Sequence, residues 1–425
     1  MTGRMAIGWD AVTDVDWGRL FHAYGAANDT PDQLRALTGE DAAARSEAVD
    51  HLWGAVLHQG TPWAVTAPTA LVVAGVLADP AADAPIADGQ PLRAMLLRFL
   101  GRVAEAGRPE IGDDELHAAA FPPGVDEEAV RVAWDAMLDG DCDCAYDEDC
   151  TCDDSAGDQD VPELDPELIA DATDAIMARV VLEIRSAAEA LLPPVEAAFT
   201  DGDARVRVNA VDAASSLLAL PGLRGRRGAV AAKVEQAARR AVHRDERAAL
   251  VLSLGYLGEE PRGYLADPDP AVRACAALAP TLAQDEAAVE ELLSALRRPA
   301  EADEWFTDRP PQIRARVRFA LLDAALRRVA DFERLLPAAV AIAKVTSPMC
   351  ADWDWGRLLA AAFPSPGDPP APPARLTDAQ RAYLRALVDN EQLWDAGNGN
   401  ARLAFEQVGL PHDRDACRRL AESPS

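Results

Sequence analysis

The chain is poor in aromatic residues, nearly devoid of lysine, and has no long apolar run. Aromatics make up 5% of its 425 residues, although 49% are apolar. Alanine and leucine dominate the apolar set, and valine is scattered among them without period-2 alternation. Ala and Leu are strong helix formers. With no alternating strand and no hairpin turn between alternating runs, the pattern predicts an all-helical fold. Only Lys233 and Lys344 are lysines, so arginine supplies nearly all the positive charge. The longest apolar stretch, near residues 66–78, is too short to span a bilayer. The opening MTGRMAIGWDAVTDVDW has no basic region followed by an apolar core, unlike a signal peptide. These features lead us to expect a soluble, cytoplasmic protein with no membrane partner. Walker, Rossmann and nucleophile-elbow signatures are all missing. The expectation is therefore a protein that is not an enzyme, with no catalytic residue and no cofactor to assign.

What is abundant is acid. Asp and Glu number 71 against 41 Lys and Arg, a net charge of −30. Such a chain repels nucleic acid and attracts basic partners or divalent cations. Residues 224–247 form the one basic stretch, with eight Arg and Lys against three acids. They read as a solvated helix face, as a nucleic-acid groove, or as a face on which an acidic segment of the same chain docks.

That acidic segment lies between Arg131 and Arg179, where no Lys or Arg occurs and sixteen acidic residues fall. Within it, GDCDCAYDEDCTC places Cys142, Cys144, Cys150 and Cys152 in two Cys-x-Cys pairs. Residues 139–165 lack apolar periodicity, so a disordered acidic loop is expected. Four thiolates are also the right number and kind of ligand for zinc. Against zinc stand the spacing, which is not Cys-x-x-Cys, and a field already strongly negative. A disulfide switch is the third reading, although negative surroundings raise thiol pKa values and blunt reactivity. An EF-hand register fails: its sixth position is Cys144 where Gly is needed, and its twelfth is Cys150 where Glu is needed.

Several helix starts repeat. Asp41 precedes Arg45, Asp203 precedes Arg207, and Asp269 precedes Arg273, each by four residues and each at the head of an Ala/Leu helix. Residues 310–318, ending in Arg318, lead into a similar segment. Aspartate suits the N-cap, small alanines allow close helix packing, and the arginine can reach an Asp or carbonyl of the neighbouring unit. The Asp203 and Asp269 copies lie 66 residues apart, about two repeat units. This pattern resembles bacterial HEAT-like repeats of the phycobilisome-lyase type. The resemblance implies an α-solenoid of stacked antiparallel helix pairs, interrupted by the acidic loop. It carries no known activity.

A second repetition links the ends. Asp16-Trp-Gly-Arg-Leu20 recurs at Asp354-Trp-Gly-Arg-Leu358, and Leu34-Arg-Ala-Leu37 recurs at Leu384-Arg-Ala-Leu387. Both ends are therefore read as related caps that shield a solenoid, or as a shared helix start with Asp as N-cap and Trp packed beneath. His51 and His58 are seven apart, so one helix face can hold both. The tryptophans gather near the two ends, as core or as a recognition surface.

The expected organisation is a helical part at 1–138, the acidic Cys-rich loop at 139–165, the main repeat array at 166–348, and a helical cap with a Pro-rich insert at 349–425. The expected function is non-enzymatic protein binding, as scaffold or adaptor, with a basic partner that an immunity-like protein would neutralise. The alternative is a HEAT-like nucleic-acid glycosylase or a lyase-type accessory protein.

Overall fold

A computed structural model describes residues 6–139, 165–364, 375–395, 397 and 399–423. The fold is all-α, with nineteen α-helices among the described residues. The chain divides into two compact units, Met1–Ala232 and Lys233–Ser425. No helix among the described residues is long and apolar enough to cross a membrane.

The first unit opens on a short turn, Trp9–Val12, and a small hairpin in which β1 (Phe21–His22) pairs antiparallel with β2 (Gly25–Ala26). Two-residue strands are too short to leave an alternating trace, which is why the sequence showed helices alone. Then follow α1 (Thr30–Ala36), α2 (Ala42–His51), α3 (Thr66–Val76), α4 (Leu92–Ala106), α5 (Asp113–Ala120) and α6 (Glu127–Asp139). The 32-residue α7 (Pro166–Ala197) packs against α3, α4, α5, α6 and α8 (Ala204–Ala219). It begins with proline behind the N-cap Asp165 and carries Pro193 and Pro194 in its last turns, near the end of the helix. Helices α4 and α8 are packed face to face. Gly101 makes this contact close: a Cβ there would lie 3.2 Å from the Cα of Ala213. Helix α9 (Arg227–Arg240) runs across the boundary into the second unit.

In the second unit, α10 (Arg244–Tyr256) packs on α11 (Pro270–Ala277), α11 on α12 (Glu286–Leu296), and α12 on α14 (Val317–Arg328). The short α13 (Pro299–Asp303) sits beside α14. Helix α15 (Phe332–Ala343) packs on α12 and on α17 (Asp378–Asp389), and α17 on α19 (Arg414–Glu422). Helix α16 (Trp355–Ala362) contacts α15 and α18 (Gly399–Glu406). Contacts thus follow chain order from α10 to α12 and then skip, with α14 and α15 both packed on α12 and α19 on α17. Alanine and leucine fill the core, with Phe99 buried in the first unit and Trp355, Tyr383 and Phe405 in the second.

Candidate functional site

The Asp/Arg pairs form one recurring local structure. Asp203 caps α8 by accepting the Arg205 N–H at 2.8 Å, and Asp269 caps α11 through the Ala271 N–H at 2.9 Å. Asp41 caps α2 through the Ala43 N–H at 2.9 Å. The arginine four residues later folds back and donates to the carbonyl two residues before the cap. Arg45 donates to Gly39 O at 2.8 Å, Arg207 to Asp201 O at 2.8 Å, and Arg273 to Asp267 O at 3.0 Å. Arg45 and Arg273 also reach further. Arg45 grips Pro85 O through Nε and Nη2, and Arg273 pairs with Glu291 of α12 at 3.0 Å. The arrangement staples a helix start to the loop that feeds it.

Sequence spacing missed part of this ladder. His243 caps α10 by accepting the Asp245 N–H at 3.3 Å, and Arg247 donates to Ala241 O at 2.8 Å. The same geometry is built with histidine at the cap, which no search for aspartate finds. The Asp245 that heads DERAAL is not the cap. Its buried carboxylate accepts the N–H groups of Thr307 and Asp308 at 3.0 and 2.8 Å. Two further aspartates recur before the caps: Asp201 and Asp267 accept the N–H of Asp203 and Asp269 at 2.8 and 2.9 Å. Arg93 holds the first at 3.0 Å and Arg247 the second at 3.2 Å.

Arg318, read as a fourth repeat arginine, has another role. It is 2% exposed and lies between Asp303 and Asp354, itself 0% exposed. Its Nε meets Asp354 Oδ2 at 3.0 Å, and Nη1 is hydrogen-bonded to Asp303. Thr346 donates to Asp354 Oδ1 at 2.7 Å, and the Trp355 N–H donates to the same oxygen. Burial pushes the Asp354 carboxyl up from its ordinary value; Thr346, the Trp355 N–H and Arg318 oppose that rise. Burial, then Asp354, holds the Tyr383 phenol well above its ordinary value.

The two Asp-Trp-Gly-Arg-Leu copies therefore differ. At Asp354 the aspartate caps α16 and Trp355 is fully buried, as a shared helix start requires. At Asp16 the side chain makes no capping bond, and Trp17–Arg19 is a single 3-10 turn ahead of the hairpin. The Leu-Arg-Ala-Leu copies do share a setting: all four leucines are buried at helix faces or ends.

Beside the Arg318 cluster lies an aromatic platform. Phe319 stacks on Trp353 with ring centroids 6.0 Å apart and planes 20° from parallel. Arg318 sits over the Phe319 ring at 4.8 Å. Trp353 is 56% exposed and Met349 is 68% exposed, with Val345 also exposed on the same connection between α15 and α16.

The basic stretch at 224–247 is largely occupied by the fold. Arg224 donates to Ala219 O and Pro109 O, and Arg227 to Leu218 O. Arg226 pairs with Glu196, Arg239 with Glu235, and Arg244 with Asp269. Guanidiniums turned to internal carbonyls recur elsewhere: Arg185 donates to Gly107, Arg108 and Ile111, and Arg328 to Ala277, Leu278 and Ala279.

Cys142, Cys144, Cys150 and Cys152 lie outside the described residues, so the structure does not place them. Cys275, Cys350 and Cys417 are free thiols. Burial, then Asp269, pushes the Cys275 thiol up to about 12. Burial, then Asp413, does the same for Cys417, also to about 12. Among the described residues no group of three His, Cys, Asp or Glu is placed to hold a metal ion.

His51 and His58 do not share a helix face. Helix α2 ends at His51, and the chain widens to an i to i+5 bond, Leu57 N–H to Leu52 O at 3.0 Å, before His58. Both instead approach the hairpin, where His22 stands 5.6 Å from His51 between ring centroids. His51 Nε2 meets Thr30 Oγ1 at 2.9 Å, and His22 Nε2 meets Asp29 Oδ1 at 3.1 Å. Burial lowers the His51 pKa from its ordinary value; Asp29 opposes this and His22 adds to it.

No protein-family model, curated protein or solved structure matches the chain.

Proposed function

We propose that the chain is a non-enzymatic protein-binding helical scaffold, an α-solenoid of HEAT-like repeats that holds a basic protein partner. One observation carries the reading: Asp and Glu outnumber Lys and Arg by 71 to 41, and several of the arginines are engaged as staples of the fold. Arg45, Arg185, Arg207, Arg247, Arg273 and Arg328 all donate to backbone carbonyls of the fold. The net charge of −30 favours a basic partner. The repeated cap-and-staple structure and the successive packing of α10, α11 and α12 support the solenoid, whose use is to present an extended surface. The exposed Trp353 and Met349 supply an apolar anchor of the kind that dominates binding energy at interfaces.

The test is affinity capture from extract of the native cell on the immobilised chain, eluted in salt steps. The reading expects a discrete protein of high isoelectric point, retained by the wild type and reduced on Trp353→Ser/Met349→Ser. Retention of nucleic acid alone, or of nothing that salt releases, contradicts it.

A further inference from the structure

We infer, on the protein-binding reading above, that residues 304–316 form an internal strap seated on a peptide-binding face of α10, and that an extended basic segment of the partner displaces it. The strap joins α13 to α14 and contains no helix or strand. It reaches back to α10, far earlier in the chain. Asp245 Oδ2 accepts the N–H of Thr307 at 3.0 Å and of Asp308 at 2.8 Å. Gln312 Nε2 donates to Ser253 Oγ at 2.8 Å. Asp245 and Ser253 lie about 12 Å apart along the helix, two turns of it. Between them, residues 248–255 are buried without a break. A surface helix usually leaves one face to solvent. Over these positions α10 leaves none, because α11 packs on it and the strap lies on the side that bears Asp245 and Ser253.

The grip is one that an extended chain from another molecule can supply. Two of the three bonds come from backbone N–H groups, which give affinity without reading the side chains of Thr307 and Asp308. The strap carries Arg309, Arg314 and Arg316 against Glu304 and Asp308, a positive excess in a chain of net charge −30. The face therefore already holds a segment of the basic kind. Its seat is incomplete. Trp305 Nε1, in a side chain 8% exposed, and Gln312 Oε1 are buried without a hydrogen-bond partner among the described residues. Such groups cost the desolvation that no bond repays, and a segment that meets them binds better than the strap does.

The strap can lift without disturbing its base. Asp303 closes that base by accepting the Arg318 N–H at 3.0 Å and by pairing with the Arg318 guanidinium. Arg316 stands 3.6 Å from the same carboxylate. With its ends tied together like those of an Ω-loop, the part between them rises as a flap. Phe319 follows the base directly and stacks on Trp353. A partner anchored on that aromatic platform therefore lies beside the strap it displaces.

The probe is a fluorescent peptide of residues 304–316, titrated onto the full chain and followed by anisotropy. Replacing residues 306–312 with a Gly/Ser segment of equal length unseats the strap and keeps its base. A tethered strap competes at roughly millimolar effective concentration, so this variant should bind the peptide at least about tenfold more tightly than the wild type. Adding Asp245→Ala should remove the gain. Equal affinity of the wild type and the unseated variant overturns the inference, as does a gain that survives Asp245→Ala. Should the unseated variant fail to fold, hydrogen exchange of the wild type decides. The Thr307 and Asp308 amides must open while α11 and α12 stay protected; protection equal to that of those helices overturns the strap. Because the probe is a piece of this chain, a failed titration leaves the basic partner standing. A strap that yields to the peptide while no basic protein is captured sinks the partner reading alone.

Discussion

Replacing Arg318 with methionine probes the most buried charges in the second unit. Methionine keeps much of the length and apolar bulk, so the effect isolates the lost guanidinium. Asp354, 0% exposed, then loses the guanidinium it pairs with, while Asp303, 10% exposed, keeps Arg316 at 3.6 Å. Breaking a buried pair from one side typically costs about 3–5 kcal/mol. With a urea dependence of about 1–3 kcal/mol per molar, the midpoint should drop by at least about 1 M. The assay is urea unfolding followed by tryptophan fluorescence, since Trp355 adjoins the lost pair. Adding Asp354→Asn should restore part of the loss, because the buried charge goes with its partner. Acidification should help the single variant. Burial already raises the Asp354 carboxyl above its unfolded value, and removing Arg318 raises it further. The native state then holds the proton more tightly, so stability falls as pH rises through the window above about 3.8. A loss under about 1 kcal/mol, or a double variant no better than the sum of the singles, refutes the reasoning.

Further outcomes follow from other sites. Because burial lowers the His51 pKa, the unfolded state binds the extra proton. Stability should fall as pH drops below about 6.5, and His51→Gln should flatten that slope in thermal melts. Gly255→Ala should destabilise by about 1–3 kcal/mol, since its Cβ would lie 2.9 Å from the Cα of Ala279; equal urea midpoints contradict that packing. Cys275 and Cys417, with thiols at about 12, should resist alkylation in the native protein and label only on unfolding. Peptide mass spectrometry that finds either one labelled as fast as Cys350 contradicts their burial.

The helices were legible in the sequence because alanine, leucine and capping aspartates act locally. Asp41, Asp203 and Asp269 were read as caps and are caps. The fold-back of Arg45, Arg207 and Arg273 follows from the same four-residue spacing. Other features depend on residues far apart in the chain. Arg318 meets an aspartate 36 positions away, so no local pattern distinguishes it from a repeat arginine. His22, His51 and His58 are scattered in sequence and meet only because the hairpin folds onto α2. Asp16 and Asp354 show the converse: five identical residues give a loose turn in one place and a buried cap in the other. The difference lies in Thr346 and Arg318, which hold Asp354 from outside the motif.

The most direct test of the account is a calorimetric titration of the captured partner at low and high salt. Excess carboxylates and an apolar anchor predict affinity that weakens steeply with salt, a negative heat-capacity change, and a clear loss on Trp353→Ser. Affinity indifferent to salt and to Trp353 would contradict both halves of the proposal.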